Sequence, residues 1–175
     1  MNIRRKHIRD LVLQLLDESG FDDAPINVEE IAQRKNAIIH KQAVDDDFSG
    51  YLFRDTARMS AVIGVNSDHH PNRQRFTLAH ELGHFLLHTG EDVHIDRQFI
   101  MKRRDGKSSE GTNVEEVEAN LFAAELLMPE HFLFQDIEQL GGIDFLDEGT
   151  VGRLAHKYRV SQQAMTIRLT SLEFL

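Results

Sequence analysis

Apolar residues recur at helical spacing in the first part of the chain. The first amphipathic segment covers residues 3–18 and ends near Gly20, a residue type suited to terminating a helix. A second, shorter helix is predicted to begin at Asn27 and to run to about Lys35, because Asn27 followed by Glu30 resembles a capping box.

The pattern then changes to short β-rich runs separated by polar or acidic turns. Residues 37–40, 48–53 and 59–65 are such runs, and they predict three strands of a small, mainly antiparallel sheet. The last run leads into a helical stretch that begins near Pro71. A strand beside that helix would offer an edge to which the main chain of a peptide can add. The polar residues 91–112 are predicted to form a loop beside this region.

Helical periodicity returns in the second half of the chain. Residues 113–128 are predicted to form a helix with a capping box at Thr112 and Glu115. Residues 150–175 contain two helical patterns separated by a turn near Val160, which resembles part of a helix-turn-helix. Because basic residues are few there, we interpret these helices as packing elements rather than as a DNA-binding surface.

The composition excludes several classes of protein. Hydrophobic residues make up 41% of the 175 residues and charged residues 28%, as in globular domains, and no apolar run is long enough to span a bilayer. The basic amino terminus leads into an amphipathic segment rather than a signal peptide, so we expect a cytoplasmic protein. The net charge of −9 argues against a broad duplex-binding face. Because the chain has no cysteine, a metal site must use His, Asp or Glu.

The stretch around residues 80–84 carries the clearest chemistry. His80, Glu81 and His84 form the pattern His-Glu-x-x-His within an apolar helical segment. Histidines four positions apart lie one turn above each other on a helix, so both rings can reach one Zn²⁺ at about 2.0–2.1 Å. Glu81 is rotated roughly 100° from His80, which places its carboxylate beside the metal, where it can take a proton from a zinc-bound water.

A catalytic zinc of this type needs a third protein ligand and an open position for water. A metzincin is excluded, because the glycine and the third histidine of that pattern would fall at Leu87 and Gly90. A carboxylate from the later predicted helix is the remaining common solution. Glu118 lies at the edge of the apolar stripe of that helix and is the favoured candidate. Glu115 is the rival, and Glu116 is expected to point largely away.

Two segments of the chain together resemble the ImmA/IrrE family of zinc metallopeptidases. They are FTLAHELGHFLLH over residues 76–88 and EANLFAAELLMP over residues 118–129. The resemblance extends to the strand end at 64–66 and to the carboxy-terminal helices, so it covers most of the chain from about residue 27. It implies that His80, His84 and Glu118 bind one Zn²⁺ and that Glu81 is the general base.

The resemblance also implies a fold and a function. We expect an α+β fold with zincin-like, gluzincin-type helices packed on a small three-stranded, mainly antiparallel sheet, followed by helix-turn-helix-like helices. The expected organisation is one metallopeptidase domain over residues 1–175, with a catalytic core at 27–140 and a helical element at 150–175. Members of the family cleave a helix-turn-helix transcriptional repressor at one site, which releases stress-response or mobile-element genes. The expected partner is therefore such a repressor, without membrane, DNA or small-molecule cofactor.

Other roles in this region stay open. Mn²⁺ or another divalent metal is an alternative to zinc, because sites of this type accept several metals. His88 continues the face of the two histidines, and we interpret it as a packing or orienting residue, since a fourth protein ligand would displace the water. The donor that stabilises the oxyanion is not identified; the candidates are Tyr51, His94, His131 and Tyr158.

A second class of function competes with proteolysis. The chain can instead be a non-catalytic metal-binding regulator, or an antitoxin-like module, that acts by binding another protein. A DNA-binding protein is a third class, which the charge disfavours.

Overall fold

The computed structural model of the protein describes residues 3–45, 47–89, 93–96, 110–140 and 148–173. Over these ranges the chain has the α+β class predicted from the sequence, with seven helices and four strands. The helices are α1 (Arg5–Ser19), α2 (Val28–Arg34), α3 (Pro71–Leu87), α4 (Glu110–Leu127), α5 (Glu130–Gln139), α6 (Glu148–Tyr158) and α7 (Gln162–Ser171). The strands are β1 (Ala37–Gln42), β2 (Gly50–Asp55), β3 (Ser60–Asn66) and β4 (Val93–Asp96).

The sheet differs from the predicted one in two respects. Its strand order is β1-β3-β2-β4, with β3 parallel to β1 and antiparallel to β2, which in turn is antiparallel to β4. Strand β4 forms inside the stretch 91–112 that was predicted to be a loop, because an edge of β2 is available to pair with it. The 102–107 part of that predicted loop lies outside the described residues.

The parallel pairing arises because the chain crosses the end of β3 between β1 and β2, and Asn66 holds this crossover. Its buried Nδ2 donates to the carbonyl oxygens of Val44 (3.1 Å) and Phe48 (2.9 Å), and its Oδ1 accepts from the backbone N–H of Asp68 (3.0 Å). One side chain therefore satisfies main-chain groups that have no strand partner.

The first two helices follow the sequence predictions. Helix α1 ends at Gly20, whose φ of 71° lies in the left-handed region that favours glycine. Helix α2 begins after Asn27, whose side chain accepts from the backbone N–H of Glu30 at 3.3 Å. Both helices bury their apolar faces in the core, so local signals and burial agree here.

Helix α3 begins at Pro71, as predicted, and lies against one face of the sheet. A Cβ atom built on Gly50 would lie only 2.5 Å from Cγ2 of Thr77, so glycine permits the close approach of β2 to α3. At the far end of α3, the buried guanidinium of Arg54 reaches from β2 and donates to the carbonyl oxygen of His84 at 2.8 Å. The positive charge there suits the carboxyl end of a helix.

Helix α4 packs across α3 at Gly83. A Cβ atom on Gly83 would lie 3.0 Å from Cδ1 of Phe122 and 3.2 Å from Cα of Ala119, so the two helices touch almost backbone to backbone. Helix α4 begins at Glu110, three residues before the predicted start at 113. The predicted capping box at Thr112 is therefore wrong, because Thr112 lies inside the helix.

The carboxy-terminal helices close over the other side of α4. Helices α6 and α7 are separated by a short turn, as predicted, and Ser161 caps α7 by accepting from the N–H of Ala164 at 3.1 Å. The buried guanidinium of Arg168 donates to both carboxylate oxygens of Glu125, at 3.0 and 2.6 Å. Among the described residues, no helix is both long and apolar enough to cross a membrane.

We expect the contact at Gly83 to tolerate no side chain. Gly83→Ala should lower the free energy of unfolding by about 1–3 kcal/mol, because the added methyl meets the backbone of Ala119. The matched control is Gly152→Ala in α6, where the nearest atom is the end of the flexible Gln162 side chain. Urea unfolding of both variants measures the difference. Equal stability of the two variants would contradict the tight helix contact.

The buried ion pair between α7 and α4 should be sensitive to removal of one partner. Arg168→Met leaves the Glu125 carboxylate buried with only the half-exposed Arg9 beside it, so we expect a loss of about 3 kcal/mol. The double variant Arg168→Met, Glu125→Met removes both charges and should recover most of that loss. Thermal and urea unfolding of the single and double variants provide the test; a double variant as unstable as the single one would refute it.

Candidate metal centre

Three histidines of α3 follow one another at intervals of four residues. His80, His84 and His88 are all buried, and their rings line up along one face of the helix because four residues make slightly more than one turn. The Nε2 atoms of His80 and His84 are 3.1 Å apart, so both face the same point. His88 stands on the other side of the His84 ring, with 3.2 Å between the two Nδ1 atoms.

Glu116 of α4 is the carboxylate that faces this pair. Its oxygens lie 3.7 Å from Nε2 of His80 and 3.6 Å from Nε2 of His84. One donor atom from each of the three residues lies within 4.8 Å of the others. The prediction that Glu116 points away from the histidines is therefore wrong. The structure does not bring Glu118, the candidate favoured from the sequence, to this cluster.

The rotation of α4 about its own axis explains the correction. Residues two apart on a helix project about 160° apart, so Glu116 and Glu118 cannot face the same neighbour. Packing of Ala119 against Gly83 sets the rotation. Glu116 then meets His80 and His84, whereas Glu118 meets His88, one turn further along α3. The apolar stripe in the sequence shows which side of α4 is buried. It does not show which glutamate beside the stripe faces the histidines of α3.

The donor set fits a divalent metal. Two neutral imidazole nitrogens and one carboxylate form a typical zinc set, and ligand atoms of a tetrahedral zinc lie about 3.3 Å from one another. The separation of 3.1 Å between the two Nε2 atoms is close to that value. Two such nitrogens facing each other in a buried site gain more from a shared cation than from each other. His80, His84 and Glu116 are thus the residues that could hold the metal.

Asn120 orients His80, which the sequence analysis did not foresee. The Nδ1 atom of His80 lies 3.0 Å from Oδ1 of Asn120, so Nδ1–H donates to the amide oxygen and Nε2 keeps its lone pair for a metal. Asn120 is four residues after Glu116 and so lies on the same side of α4. That spacing between a carboxylate and an amide is a signal in the sequence that could have indicated Glu116.

Glu81 is fully buried on α3, beside the two histidines. Strand β2 approaches it at Gly50, where an added Cβ atom would lie 3.6 Å from Cγ of Glu81. The structure therefore places the residue predicted to be the general base between the metal-binding face of α3 and the adjacent strand.

Glu118 belongs to a different cluster, formed with Arg4 and His88. The backbone N–H of Arg4 donates to Glu118 Oε1 at 2.9 Å, its Nε lies 3.1 Å from both carboxylate oxygens, and a terminal guanidinium nitrogen also donates to Oε2. On the other side, Nε2 of His88 lies 3.2 Å from Oε2. Hydrogen bonds from Arg4 lower the pKa of Glu118 to about 2, so this carboxylate is ionised at neutral pH.

Three of the oxyanion candidates have other partners in the structure. The buried hydroxyl of Tyr158 donates to Asp136 at 2.8 Å, and burial raises the pKa of Tyr158. The Tyr51 ring covers Gly64, and its hydroxyl lies 3.2 Å from Nδ1 of His40. His131 is on α5 with its ring centre 4.2 Å from that of Phe132. The side chain of His94 lies outside the described part of the chain.

Two known proteins share part of their sequence with this chain. An 80-residue stretch of the chain is 41% identical to the radiation response metalloprotease IrrE of Deinococcus radiodurans and covers 46% of this chain and 23% of that protein. The protein of the same name from Deinococcus deserti is 39% identical over 80 residues, which cover 46% of this chain and 27% of that protein. The matches therefore span about a quarter of the length of these relatives.

The fold recurs in a solved structure. A Mycobacterium tuberculosis transcriptional regulator superposes with a TM-score of 0.61 over 94% of this chain and 47% of that chain, at 16% sequence identity. At such low identity the likeness shows a shared fold and nothing about activity. The profile of the IrrE N-terminal-like domain family, Peptidase_M78, matches residues 36–170, which include α3, α4 and the whole histidine and glutamate cluster. The resemblance to the ImmA/IrrE family is thereby confirmed, and the chain belongs to the IrrE N-terminal-like domain family.

Proposed function

We propose that this chain is a zinc-dependent metallopeptidase in which His80, His84 and Glu116 hold the metal. The observation that carries the proposal is the convergence of two facing Nε2 atoms and one carboxylate on a single buried point. Membership of a family whose named relatives are metalloproteases supports the hydrolytic reading.

Zinc is the metal that this donor set favours. Two imidazoles and a carboxylate leave one position of a tetrahedral ion open, which is the arrangement of catalytic rather than structural zinc. Harder cations such as Mg²⁺ and Ca²⁺ prefer a shell of oxygen ligands. Mn²⁺ or Fe²⁺ would bind the same donors more weakly than zinc does.

The metal and the residues around it would have separate roles in peptide hydrolysis. Bound zinc would supply a Lewis acid for the scissile carbonyl and lower the pKa of a water. The Glu81 carboxylate would accept the proton of the attacking water and deliver it to the nitrogen of the leaving amine. Burial of Glu81 beside β2 keeps bulk water away from this proton transfer. Asn120 would hold the His80 imidazole in the tautomer whose Nε2 is free to bind the metal.

The substrate we propose is a cytoplasmic helix-turn-helix transcriptional repressor, cleaved at one site. The resemblance to the ImmA/IrrE family motivates this choice. In the described part of the sheet, β4 is an edge strand next to β2, so an extended substrate segment could add its main chain there. Cleavage of a repressor at one bond would release the genes that it controls.

Substitution of Glu81, the proposed general base, should abolish peptide cleavage without affecting metal binding. Glu81→Gln should retain zinc and lose cleavage of the repressor by about 100-fold or more, because the amide cannot accept the proton of the attacking water. The measurement is cleavage of a purified candidate helix-turn-helix repressor, followed by electrophoresis and mass spectrometry, together with the zinc content of each protein.

The same assay tests the alternative function. If the wild type forms a stable complex with the repressor but does not cleave it, with zinc bound, the chain is a binding module and the peptidase proposal fails. Equal cleavage by the wild type and Glu81→Gln would likewise remove Glu81 from the mechanism.

The identity of the third ligand is tested by comparing the glutamates of α4. Glu116→Gln should weaken zinc binding by more than about 100-fold, because loss of a ligand exceeds the usual effect of losing an outer partner. Glu115→Gln is the matched control on the adjacent position and should bind zinc as the wild type does. Competition with a chromophoric chelator gives the affinities. Loss of zinc in Glu118→Gln but not in Glu116→Gln would restore the assignment made from the sequence.

A further inference from the structure

A chain of hydrogen bonds runs from Arg4, the residue before α1, to the proposed metal site. It leads from Arg4 to Glu118, from Glu118 to Nε2 of His88, and from Nδ1 of His88 to Nδ1 of His84, with 3.2 Å at each of the last two steps. Arg4 lies outside the range of residues that matches the family profile. Arg4, which precedes the amino-terminal helix, thus contacts the residues that support the site from across the fold.

Arg4, the first residue in this series, determines which atom donates in each of the hydrogen bonds. The guanidinium of Arg4 can only donate, and an ionised carboxylate can only accept. Nε2 of His88 must therefore carry the proton that faces Glu118. In the neutral ring Nδ1 of His88 is then an acceptor, so the proton between the two histidines belongs to Nδ1 of His84. Nε2 of His84 is left with a lone pair, directed at the point that it shares with His80.

Coordination of the metal leads to the same position for the proton of His84. A ring nitrogen that binds a cation carries no proton, so coordination through Nε2 of His84 requires a proton on Nδ1. That proton needs an acceptor, and Nδ1 of His88 lies at hydrogen-bond distance from it. Reasoning from Arg4 and reasoning from the metal therefore give the same positions for the protons in this series of hydrogen bonds.

We infer that His88, held by Glu118 and Arg4, is a positioning residue that fixes His84 in the tautomer able to bind the metal. This inference rests on the metal site proposed above. His88 acts through His84 and does not itself coordinate the metal, since both of its ring nitrogens are engaged, one with Glu118 and one with His84. Arg4 is the outer anchor of the same arrangement.

Two variants of His88 test the need for an acceptor. His88→Leu removes it, and we expect zinc affinity to fall by about 10–100-fold, the range found for partners that orient metal-binding histidines. His88→Asn offers a side-chain oxygen near the former Nδ1 and should recover much of the affinity. Zinc affinity is measured by competition with a chelator at a temperature where circular dichroism shows all variants folded. An affinity of His88→Leu equal to that of the wild type would overturn the inference, as would equal losses in both variants.

A spectroscopic measurement on the metal-free protein reports the tautomer directly. The ¹⁵N chemical shifts of the His84 ring, recorded at a pH where the ring is neutral, should show the proton on Nδ1 in the wild type. In His88→Leu they should move toward the form with the proton on Nε2, which the free imidazole of histidine prefers. A wild-type His84 ring that carries its proton on Nε2 would refute the inference.

Arg9 of α1 is a matched control for Arg4, which immediately precedes that helix. Arg4 and Arg9 both extend from the amino-terminal part of the chain to a buried glutamate of α4, and their side chains are 46% and 47% exposed. Arg4→Met should weaken zinc binding, whereas Arg9→Met, which contacts Glu125 far along α4 from His88, should not. If both variants bind zinc equally well, Arg4 merely tethers α1 and has no role in positioning.

The outcomes separate this inference from the function proposed above. If the wild type binds no zinc, the metal site itself fails. If the wild type binds zinc and hydrolyses the repressor while the His88 and Arg4 variants bind zinc as tightly as it does, only the positioning role fails.

Discussion

The close contact between α3 and α4 is the constraint on which the site depends. At Gly83 the helices meet almost backbone to backbone, and even an added methyl group would press on Phe122 and Ala119. This contact fixes both the distance between the helices and the rotation of α4 about its axis. The same rotation places Glu116 opposite His80 and His84 and directs Glu118 to His88 and Arg4. A site made from two helices can be accurate only if their packing allows a single arrangement.

Three carboxylates of α4, the buried Glu118 and Glu125 and the partly buried Glu116, have different partners. Arg4, which precedes α1, pairs with Glu118, and Arg168 of α7 pairs with Glu125, so each of these charges is compensated by a guanidinium. Glu116 instead faces His80 and His84, where a divalent cation would supply the positive charge. The helices that enclose α4 thereby leave one carboxylate directed at the imidazoles. A carboxylate removed from water needs a positive partner. An arginine fills this role for the structural glutamates Glu118 and Glu125, whereas a metal ion would fill it for Glu116.

Much of the fold follows from local signals. The ends of α1 and α2 were predicted because Gly20 and Asn27 act within one turn of their own helices, and the start of α3 at Pro71 was predicted for the same reason. The sheet was predicted less well. The position of β3 between β1 and β2 depends on a crossover held by Asn66, and β4 exists because β2 has an edge to pair with. Such pairings join residues far apart in the sequence and leave no local pattern.

The sequence by itself determined the histidine pair and Glu81, because their relation is internal to one helix and a spacing of four residues always places two side chains on the same face. Only the tertiary structure decided which glutamate of α4 joins them. Glu115, Glu116 and Glu118 occupy a single turn, and the rotation of that turn is set by packing against Gly83 rather than by any property of the three residues. Only the tertiary structure, likewise, brought Arg4 to Glu118 across 114 residues of sequence. Contacts within a helix follow from its geometry, whereas contacts between helices depend on the shape of the whole core.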